Sequence, residues 1–245
     1  MKRLVRLVWI VLLLATPTVA SAQVSWGGAY AGAEVGVAFK DLQFSVNDGF
    51  FGALVVNGTV NPRYSIGGHA GFDFPIKRFV IGGEGSVSYL DYTGQVSYGP
   101  NKDTTSTTKG GPAWSGMGRI GWTYRQVMPY FGVGILGSKN SATILDDCAS
   151  AGCGTEVGEG SGKTTATHWV LAYGVQFASS KRIAGRDWAL RIEWLQIESS
   201  PIVNTFPREA RGSLVPGGSM TFTSTVTTPM PRGTVRILFD VRLTK

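Results

Sequence analysis

The sequence predicts an all-β fold, a closed antiparallel barrel of eight strands running up and down, and three observations predict it. Eight short segments alternate apolar residues with small or polar ones, which is the two-residue period of a strand. The segment from Trp188 to Trp194 shows this most clearly, with a large apolar side chain at every second position. The gaps between segments are alternately long and short. Aromatic residues also recur ten positions apart near the segment ends.

Each of the first four segments has one apolar phase, and small or charged residues occupy the other phase. We expect the apolar phase to face outward, because the opposite phase holds the charged residues. The outward residues that define these four strands, in order, are Val35 and Val37; Ile66, Phe72 and Phe74; Phe79, Ile81 and Val87; and Ile120, Trp122 and Tyr124.

The last four segments follow the same rule. The fifth is predicted to be short, and a long loop is predicted after it over residues 137–162. The outward residues that define these four strands, in order, are Phe131, Val133 and Ile135; Leu171, Tyr173 and Val175; Leu190, Ile192 and Trp194; and Ile237, Phe239 and Leu243.

The connections predict how the barrel sits in a membrane. Three are short and four are long; they span 75–77, 125–127 and 179–187 (short), and 40–63, 93–111, 137–162 and 198–232 (long). Short periplasmic turns and long extracellular loops are typical of a transmembrane barrel in the bacterial outer membrane. We therefore expect four long extracellular loops and a location in that membrane.

Aromatic spacing supports the transmembrane interpretation. Phe79 and Tyr89 are ten residues apart, as are Trp114 and Tyr124. Ten residues of a strand tilted by about 45° rise ~23 Å, close to the ~25 Å apolar band that aromatic girdles flank. A soluble barrel would instead place its charges outside. The predicted girdle consists of Phe79, Tyr89, Trp114, Trp122, Tyr124, Trp169, Phe177, Trp188 and Trp194.

The N-terminus predicts an export signal. Lys2, Arg3 and Arg6 precede the apolar run 7–15, and Ala-Ser-Ala at 20–22 has the small-x-small pattern of a cleavage site. We expect residues 1–22 to be a cleaved signal peptide and residues 23–245 to form the barrel domain. The alternative, a retained anchor, is disfavoured because the run is shorter than the ~20 residues that span a bilayer.

Composition excludes several functions. Loss of Lys2, Arg3 and Arg6 lowers the net charge from +7 to +4, and no basic run suggests nucleic acid. The sequence has no phosphate-binding loop or metal-ligand spacing, so we expect no cofactor or metal. A barrel hydrolase acting on lipid A would need Ser, His and an acid on the lipid face. His69 and His168, the two histidines, both fall on inward phases.

Charged residues on the inward phases form the candidate site. They are Glu34, Asp73, Glu84, Arg119, Arg191, Glu193, Arg236, Asp240 and Arg242. Buried charges must pair, because an unpaired one costs several kcal/mol. Two interpretations remain open: a structural plug of ion pairs, or a narrow gated pore lined by pairs that rearrange.

The third long loop contains both cysteines, Cys148 and Cys153. In an exported protein, such a close pair predicts a disulfide that constrains the loop tip. The Thr-rich stretches 104–109 and 220–228 predict β-extensions or flexible tips. Loops of this kind are candidate contacts for lipopolysaccharide, a host surface or a phage.

Four stretches also resemble a known family. They are the opening Trp-Gly-Gly-Ala-Tyr-Ala-Gly-Ala-Glu-Val-Gly at 26–36, Gly-Gly-Glu-Gly-Ser-Val-Ser-Tyr at 82–89, the pair 118–122 and 129–134, and Arg-Ile-Glu-Trp at 191–194. Together they resemble the small outer-membrane β-barrel domain of alphaproteobacterial porin-like surface antigens, relatives of the OmpA and OmpX barrels. The resemblance implies outer-membrane lipids and the barrel-assembly machinery as partners. Members usually end in an aromatic residue, whereas this chain ends in Leu-Thr-Lys.

These observations predict a non-catalytic outer-membrane barrel. Its expected role is structural and interactive, through envelope integrity and contacts made by the outer loops. A narrow porin-like channel is the alternative, although an eight-stranded barrel is usually filled by its own side chains. An enzyme that modifies lipid A ranks third.

Overall fold

The computed structural model describes residues 26–39, 43–47, 53–57, 59–60, 63–98, 102–147, 157–198, 201–211, 219–228 and 233–243. These residues are almost entirely β-structure. Among them, no helix is long and apolar enough to cross a membrane. The predicted signal peptide, Cys148 and Cys153 lie outside the described residues, so the cleavage site and the disulfide stay predictions.

Fifteen strands are present in the described part of the chain. In order they are β1 (Gly28–Phe39), β2 (Gln43–Asn47), β3 (Ala53–Asn57), β4 (Thr59–Val60), β5 (Arg63–Ile76), β6 (Phe79–Asp91), β7 (Thr93–Tyr98), β8 (Thr104–Lys109), β9 (Pro112–Trp122), β10 (Val127–Asp147), β11 (Val157–Ala178), β12 (Trp188–Ile197), β13 (Ile202–Arg211), β14 (Ser219–Thr228) and β15 (Gly233–Arg242).

Eight of these strands close into a barrel: β1, β5, β6, β9, β10, β11, β12 and β15. Each pairs antiparallel with the next of the eight along the chain, and β15 returns to pair with β1, where Tyr30 lies opposite Arg242 and Phe39 opposite Gly233. The predicted fold class, an eight-stranded antiparallel up-and-down barrel, is confirmed.

Side-chain burial alternates along the barrel strands with the predicted phases. Outward residues such as Ile66, Val87 and Trp169 are about two-thirds exposed, whereas inward Arg191 and Leu238 are fully buried. The outer surface is therefore a continuous apolar band, far larger than a soluble protein normally exposes. An apolar band of this size is stable in contact with the hydrocarbon of a lipid bilayer rather than with water.

Three tight turns join the barrel strands at one end. Lys77 and Arg125 adopt left-handed backbone angles, with φ of 55° and 56°. Ala184 and Gly185 both have positive φ in the third turn, as a type I′ turn requires. The tight turns are rich in basic residues: Arg78 and Arg186 lie in them in addition to Lys77 and Arg125.

The opposite end of the barrel differs from the sequence prediction. The prediction that the fifth strand is short, with a loop over residues 137–162, is wrong: β10 has 21 residues and β11 has 22. The two strands pair without interruption from Val127 opposite Phe177 to Asp147 opposite Val157. This long hairpin continues well beyond the ring of eight strands.

The remaining strands attach to the upper part of this hairpin and build what we call the β-extension. On one side β8 pairs with β10, and β7 and β4 follow; on the other side β13 pairs with β11, and β14, β2 and β3 follow. The segments predicted as long loops thus contain most of the β-extension. The Thr-rich stretches form β8 and most of β14.

Apolar cores lie at three levels inside the molecule. Near the tight turns, Trp26, Val80, Met128, Ala178 and Ala189 close the lower end of the barrel. The upper barrel contains a second cluster, formed by Ala113, Met117, Leu136, Val170, Ala172, Leu195, Ile197 and Ile202. The β-extension has its own core, formed by Val46, Val96, Tyr98, Ala142, Ile144, Phe206 and Val226.

We predict that Phe206→Ala loosens the β-extension and leaves the barrel intact. Phe206 is buried in the extension core, so its truncation should cost about 3–5 kcal/mol locally. Limited proteolysis of the folded protein should cut the extension faster, while the heat-dependent shift in electrophoretic mobility stays unchanged. Val203→Ala is the matched control, because Val203 lies on the same strand and is 48% exposed. Equal cleavage of both variants would contradict an independent core.

Candidate functional site

The barrel lumen contains all nine charged residues that the sequence placed on inward phases. Each is buried, with at most 6% of its surface accessible: Glu34, Asp73, Glu84, Arg119, Arg191, Glu193, Arg236, Asp240 and Arg242. They come from β1, β5, β6, β9, β12 and β15. The structure brings the nine into three connected groups along the barrel axis.

The lowest group is centred on Asp73. Arg119 makes a forked contact with this carboxylate: its Nη2 donates to Oδ2 at 2.7 Å and its Nε to Oδ1 at 3.2 Å. Arg242 donates from Nη1 to the same Oδ2 at 2.9 Å. One carboxylate therefore receives two guanidinium groups, from β9 and β15, across the lumen.

The middle group is centred on Arg191, which is fully buried. Its Nη2 lies 2.6 Å from Oε2 of Glu84, and its Nε lies 2.9 Å from Oδ2 of Asp240. Asp240 also accepts hydrogen bonds from Nε2 of His69 at 2.6 Å and from Nε2 of Gln176 at 3.1 Å. Arg191 thus joins β6 to β15, and β5 and β11 are tied to the same carboxylate.

The upper group is centred on Arg236. Its Nη1 donates to Oε2 of Glu34 at 3.1 Å, and its Nε donates to Oε1 of Glu193 at 2.8 Å. The hydroxyl of Tyr130 donates to the other oxygen of Glu193 at 2.9 Å. This group therefore connects β1, β10, β12 and β15.

Tyr30 joins the lower and middle groups. Its hydroxyl donates to Oε2 of Glu84 at 2.8 Å. The guanidinium carbons of Arg119, Arg191 and Arg242 lie 4.8, 5.6 and 5.2 Å from the centre of its ring. These distances are within the range of cation–π attraction, so one aromatic ring attracts three guanidinium groups.

Sequence reasoning missed four members of the network: Tyr30, Tyr130, His69 and Gln176. All four fall on inward phases, but only ionised side chains were selected as site residues. The signal that would have found them is their polarity on an inward phase, because a buried hydroxyl, imidazole or amide needs a partner as much as a buried charge does.

Glycines provide the space for these large side chains. A Cβ added to Gly71 would overlap the Tyr30 hydroxyl, and one added to Gly82 would overlap Oδ1 of Asp73. Both glycines lie on inward phases of β5 and β6. They allow the strand backbones to approach the phenol and the carboxylate directly.

A small cavity lies above the upper group. Glu34 and Arg236 contribute to it from below, and Leu136, Leu195 and Ile197 also line it. Its volume of about 50 Å³ provides space for a few water molecules. The cavity thus lies where the ion pairs end and the apolar cluster of the upper barrel begins.

The two histidines lie apart in the lumen. His69 is bonded to Asp240 in the middle group, whereas both ring nitrogens of His168 lack a hydrogen-bond partner among the described residues. Neither histidine is on the lipid-facing surface. Within the described residues, no group of three or more His, Cys, Asp and Glu side chains is arranged to hold a metal ion.

The nine residues of the predicted aromatic girdle all point outward, in two belts. Phe79 and Trp122 face each other across β6 and β9 near the tight turns, while Trp114 and Trp169 lie toward the β-extension. Seven of the nine are exposed; Phe177 and Trp188 are half-buried. The belts lie at the two edges of the apolar band, where tyrosine and tryptophan concentrate in membrane proteins.

Comparison with known proteins gives a family match. The family described as outer membrane protein beta-barrel domain matches residues 8–210. No curated protein matches the chain. Among solved structures, the chain is similar to outer membrane protein OprG from Pseudomonas aeruginosa, at 10% identity and a TM-score of 0.43, over 88% of this chain and 95% of that one.

Two further solved structures are similar to it. A major outer membrane protein from Thermus thermophilus has 10% identity and a TM-score of 0.41, over 88% of this chain and 99% of that one. Ail, the attachment invasion locus protein of Yersinia pestis, has 8% identity and a TM-score of 0.35, over 87% and 98%.

We predict that Arg191→Ala destabilises the barrel by about 3–5 kcal/mol, because it leaves Glu84 and Asp240 buried without their shared cation. The measurement is the urea concentration at which half of the protein has lost the electrophoretic mobility of the folded, unheated barrel. Arg182→Ala is the matched control: its ion pair with Asp187 is solvent-exposed, so its loss should cost no more than ~1 kcal/mol. Equal midpoints for the two variants would show that the lumen pairs do not stabilise the fold.

Proposed function

We propose that this chain, which belongs to the outer membrane protein β-barrel domain family and lies in the bacterial outer membrane, is a closed, non-catalytic barrel. Its role is structural within the envelope and interactive at the cell surface. The barrel carries no solute through its lumen. The β-extension supplies the surface on which contacts are made.

The single observation that supports a closed barrel is the connected set of buried ion pairs across the lumen. Arg191 in the middle group is fully buried, and every carboxylate of the nine has a guanidinium partner. An eight-stranded barrel has an interior just wide enough to be filled by side chains. A solute would have to displace several of these pairs at once.

Support for a surface role comes from the β-extension. A segment with its own apolar core holds its exposed residues in fixed positions, whereas a flexible loop must be ordered when it binds. Binding residues are often carried on such surface segments, supported by a rigid scaffold. Candidate partners are lipopolysaccharide and other outer-membrane lipids, and a host or phage surface. The assembly machinery is the expected partner during insertion.

A narrow channel is the second candidate, and one observation favours it. Nη1 of Arg119, Nη1 of Arg191 and Oε1 of Glu84 have no hydrogen-bond partner among the described residues. Buried polar atoms of this kind normally bind water. Water bound in the middle group would lower the energy barrier for its charged side chains to exchange ion-pair partners. Gating of a channel through the lumen would require such exchange.

Bilayer conductance separates the two candidates. The wild-type chain reconstituted in planar bilayers should give no stepwise current above the lipid background. The double variant Glu84→Ala/Arg191→Ala removes one whole ion pair from the middle of the lumen and opens space, while Asp240 keeps its hydrogen bonds from His69 and Gln176. We expect this variant to conduct measurably.

Single-channel steps from the wild-type protein would overturn the closed barrel and support the channel. The exposed pair offers the matched control, because Arg182→Ala/Asp187→Ala removes the same two charge types outside the lumen. Conductance that rises equally in both double variants would show that the lumen pairs are not the barrier. Release of acyl chains from lipid A by the purified wild-type protein would revive the enzyme hypothesis.

A further inference from the structure

Three lysines lie close together on the outward face where the barrel passes into the β-extension. Lys109 is on β8, Lys139 on β10 and Lys163 on β11, and all three side chains are exposed. They lie on three neighbouring strands, because β10 pairs with β8 on one side and with β11 on the other. We call these residues the lysine cluster.

The strand register fixes their spacing. Ser141 of β10 lies opposite Lys109 on one side and opposite Lys163 on the other, so Lys109, Ser141 and Lys163 form one row across the strands. Strands lie ~4.8 Å apart, which puts the two lysine Cα atoms about 10 Å apart. Lys139 is two residues below Ser141 on the same face. The long, flexible side chains can therefore converge on one ligand group.

The cluster lies directly above the outer aromatic belt. Trp114 is opposite Gly137, two residues below Lys139, and Trp169 is opposite Ile135, two residues lower still. The indole of Trp114 lies across Gly137, where a Cβ would overlap it. Two to four residues of a tilted strand place the lysines about 5–9 Å beyond Trp114. This is the height of the lipid headgroups in the outer leaflet.

The charges of the cluster remain available within the part of the chain that the structure describes. None of the three ammonium groups forms an ion pair with any described residue. Hydroxyl residues surround them on the same face: Thr165 is opposite Lys139, and Thr143 with its neighbours Thr107 and Ser161 forms the next row outward. Two carboxylates flank the cluster, Asp91 at the end of β6 and Glu159 four residues beyond Lys163.

We propose that the lysine cluster binds the phosphate groups of a phosphorylated glycolipid in the outer leaflet, the lipopolysaccharide of the membrane in which the barrel sits. Three cations that pair with no described carboxylate match its phosphates, and the surrounding hydroxyls match its sugar hydroxyls. The tryptophans beneath contact the start of its acyl chains. The proposal rests on the surface role proposed above and deepens it by naming a ligand for one part of that surface.

The test measures binding of diphosphoryl lipid A to the full folded chain in detergent micelles. The triple variant Lys109→Gln/Lys139→Gln/Lys163→Gln should lose at least about tenfold in affinity. A matched control, Lys77→Gln/Lys102→Gln/Lys181→Gln, removes three exposed lysines from elsewhere and should stay within about twofold of the wild type. Lipid A without phosphates should bind weakly to all three proteins.

A further variant guards against a folding defect. Lys109→Arg/Lys139→Arg/Lys163→Arg keeps the charges and should retain wild-type affinity, and heat-shifted mobility checks the fold of each protein. Equal losses in the Gln triple and its control would overturn the proposal. So would equal binding of phosphate-free lipid A, or stronger binding of dextran sulfate than of lipid A, which would identify a soluble polyanion as the ligand. Any of these results would leave the conductance of the lumen, measured separately, unaffected.

Discussion

The constraint on which the rest of the structure depends is that charges enclosed by a narrow barrel must meet partners. The lumen contains five carboxylates and four guanidinium groups, and a single imidazole completes the donors around Asp240. Several pairs link strands that are not hydrogen-bonded neighbours; Arg242 on β15 and Asp73 on β5, for example, are 169 residues apart in the chain. The network therefore connects the ring of strands from inside, in addition to the backbone hydrogen bonds that connect neighbouring strands.

The same constraint protects the strand register. Sliding one strand by a single residue would turn its buried charge toward lipid and its apolar row toward the lumen. For β12 that slip would expose both Arg191 and Glu193 to hydrocarbon, while Asp240 and Arg236 would lose their partners on that strand. Pairing within the lumen and the apolar band outside it thus select the same register. Glycines such as Gly71 and Gly82 make the arrangement possible, because no larger residue would leave space for Tyr30 and Asp73.

Most of the barrel could be predicted from the sequence because lipid and lumen impose opposite demands on alternate residues. Where that contrast is strong, as from Trp188 to Trp194, the inward phase of the strand follows directly from the pattern. The partners within the network were not predictable, because they depend on strand tilt and on closure of the ring. Tyr30 and Tyr130 fall on the inward phase, but the pattern alone does not identify their phenols as members of the site.

The β-extension was predicted only in part, at the Thr-rich stretches 104–109 and 220–228 where β-extensions or flexible tips were expected, and the rest was missed for a related reason. Beyond the membrane both phases of a strand tolerate polar residues, so the alternation loses its contrast. In β8 the buried phase consists of Thr104, Ser106 and Thr108, and the more exposed phase of Thr105, Thr107 and Lys109. The upper part of β10 likewise buries Ser138 and Asn140 together with Ala142 and Ile144. Hydroxyl and amide residues on an inward phase do not distinguish a strand from a loop by hydropathy alone.

The length of the β10–β11 hairpin has a consequence for how the part of this protein that we propose lies at the cell surface can change over time. An unstructured loop can drift at every position, whereas a paired strand commits alternate residues to its neighbours and its core. In the hairpin, Ala142 and Ile144 belong to the interior, and Thr143 and Leu145 face outward. Selection by antibodies or phages would therefore act on only half of the positions. Antigenic drift in this region should therefore alternate between variable outward positions and constrained inward positions, rather than cover a continuous hypervariable patch.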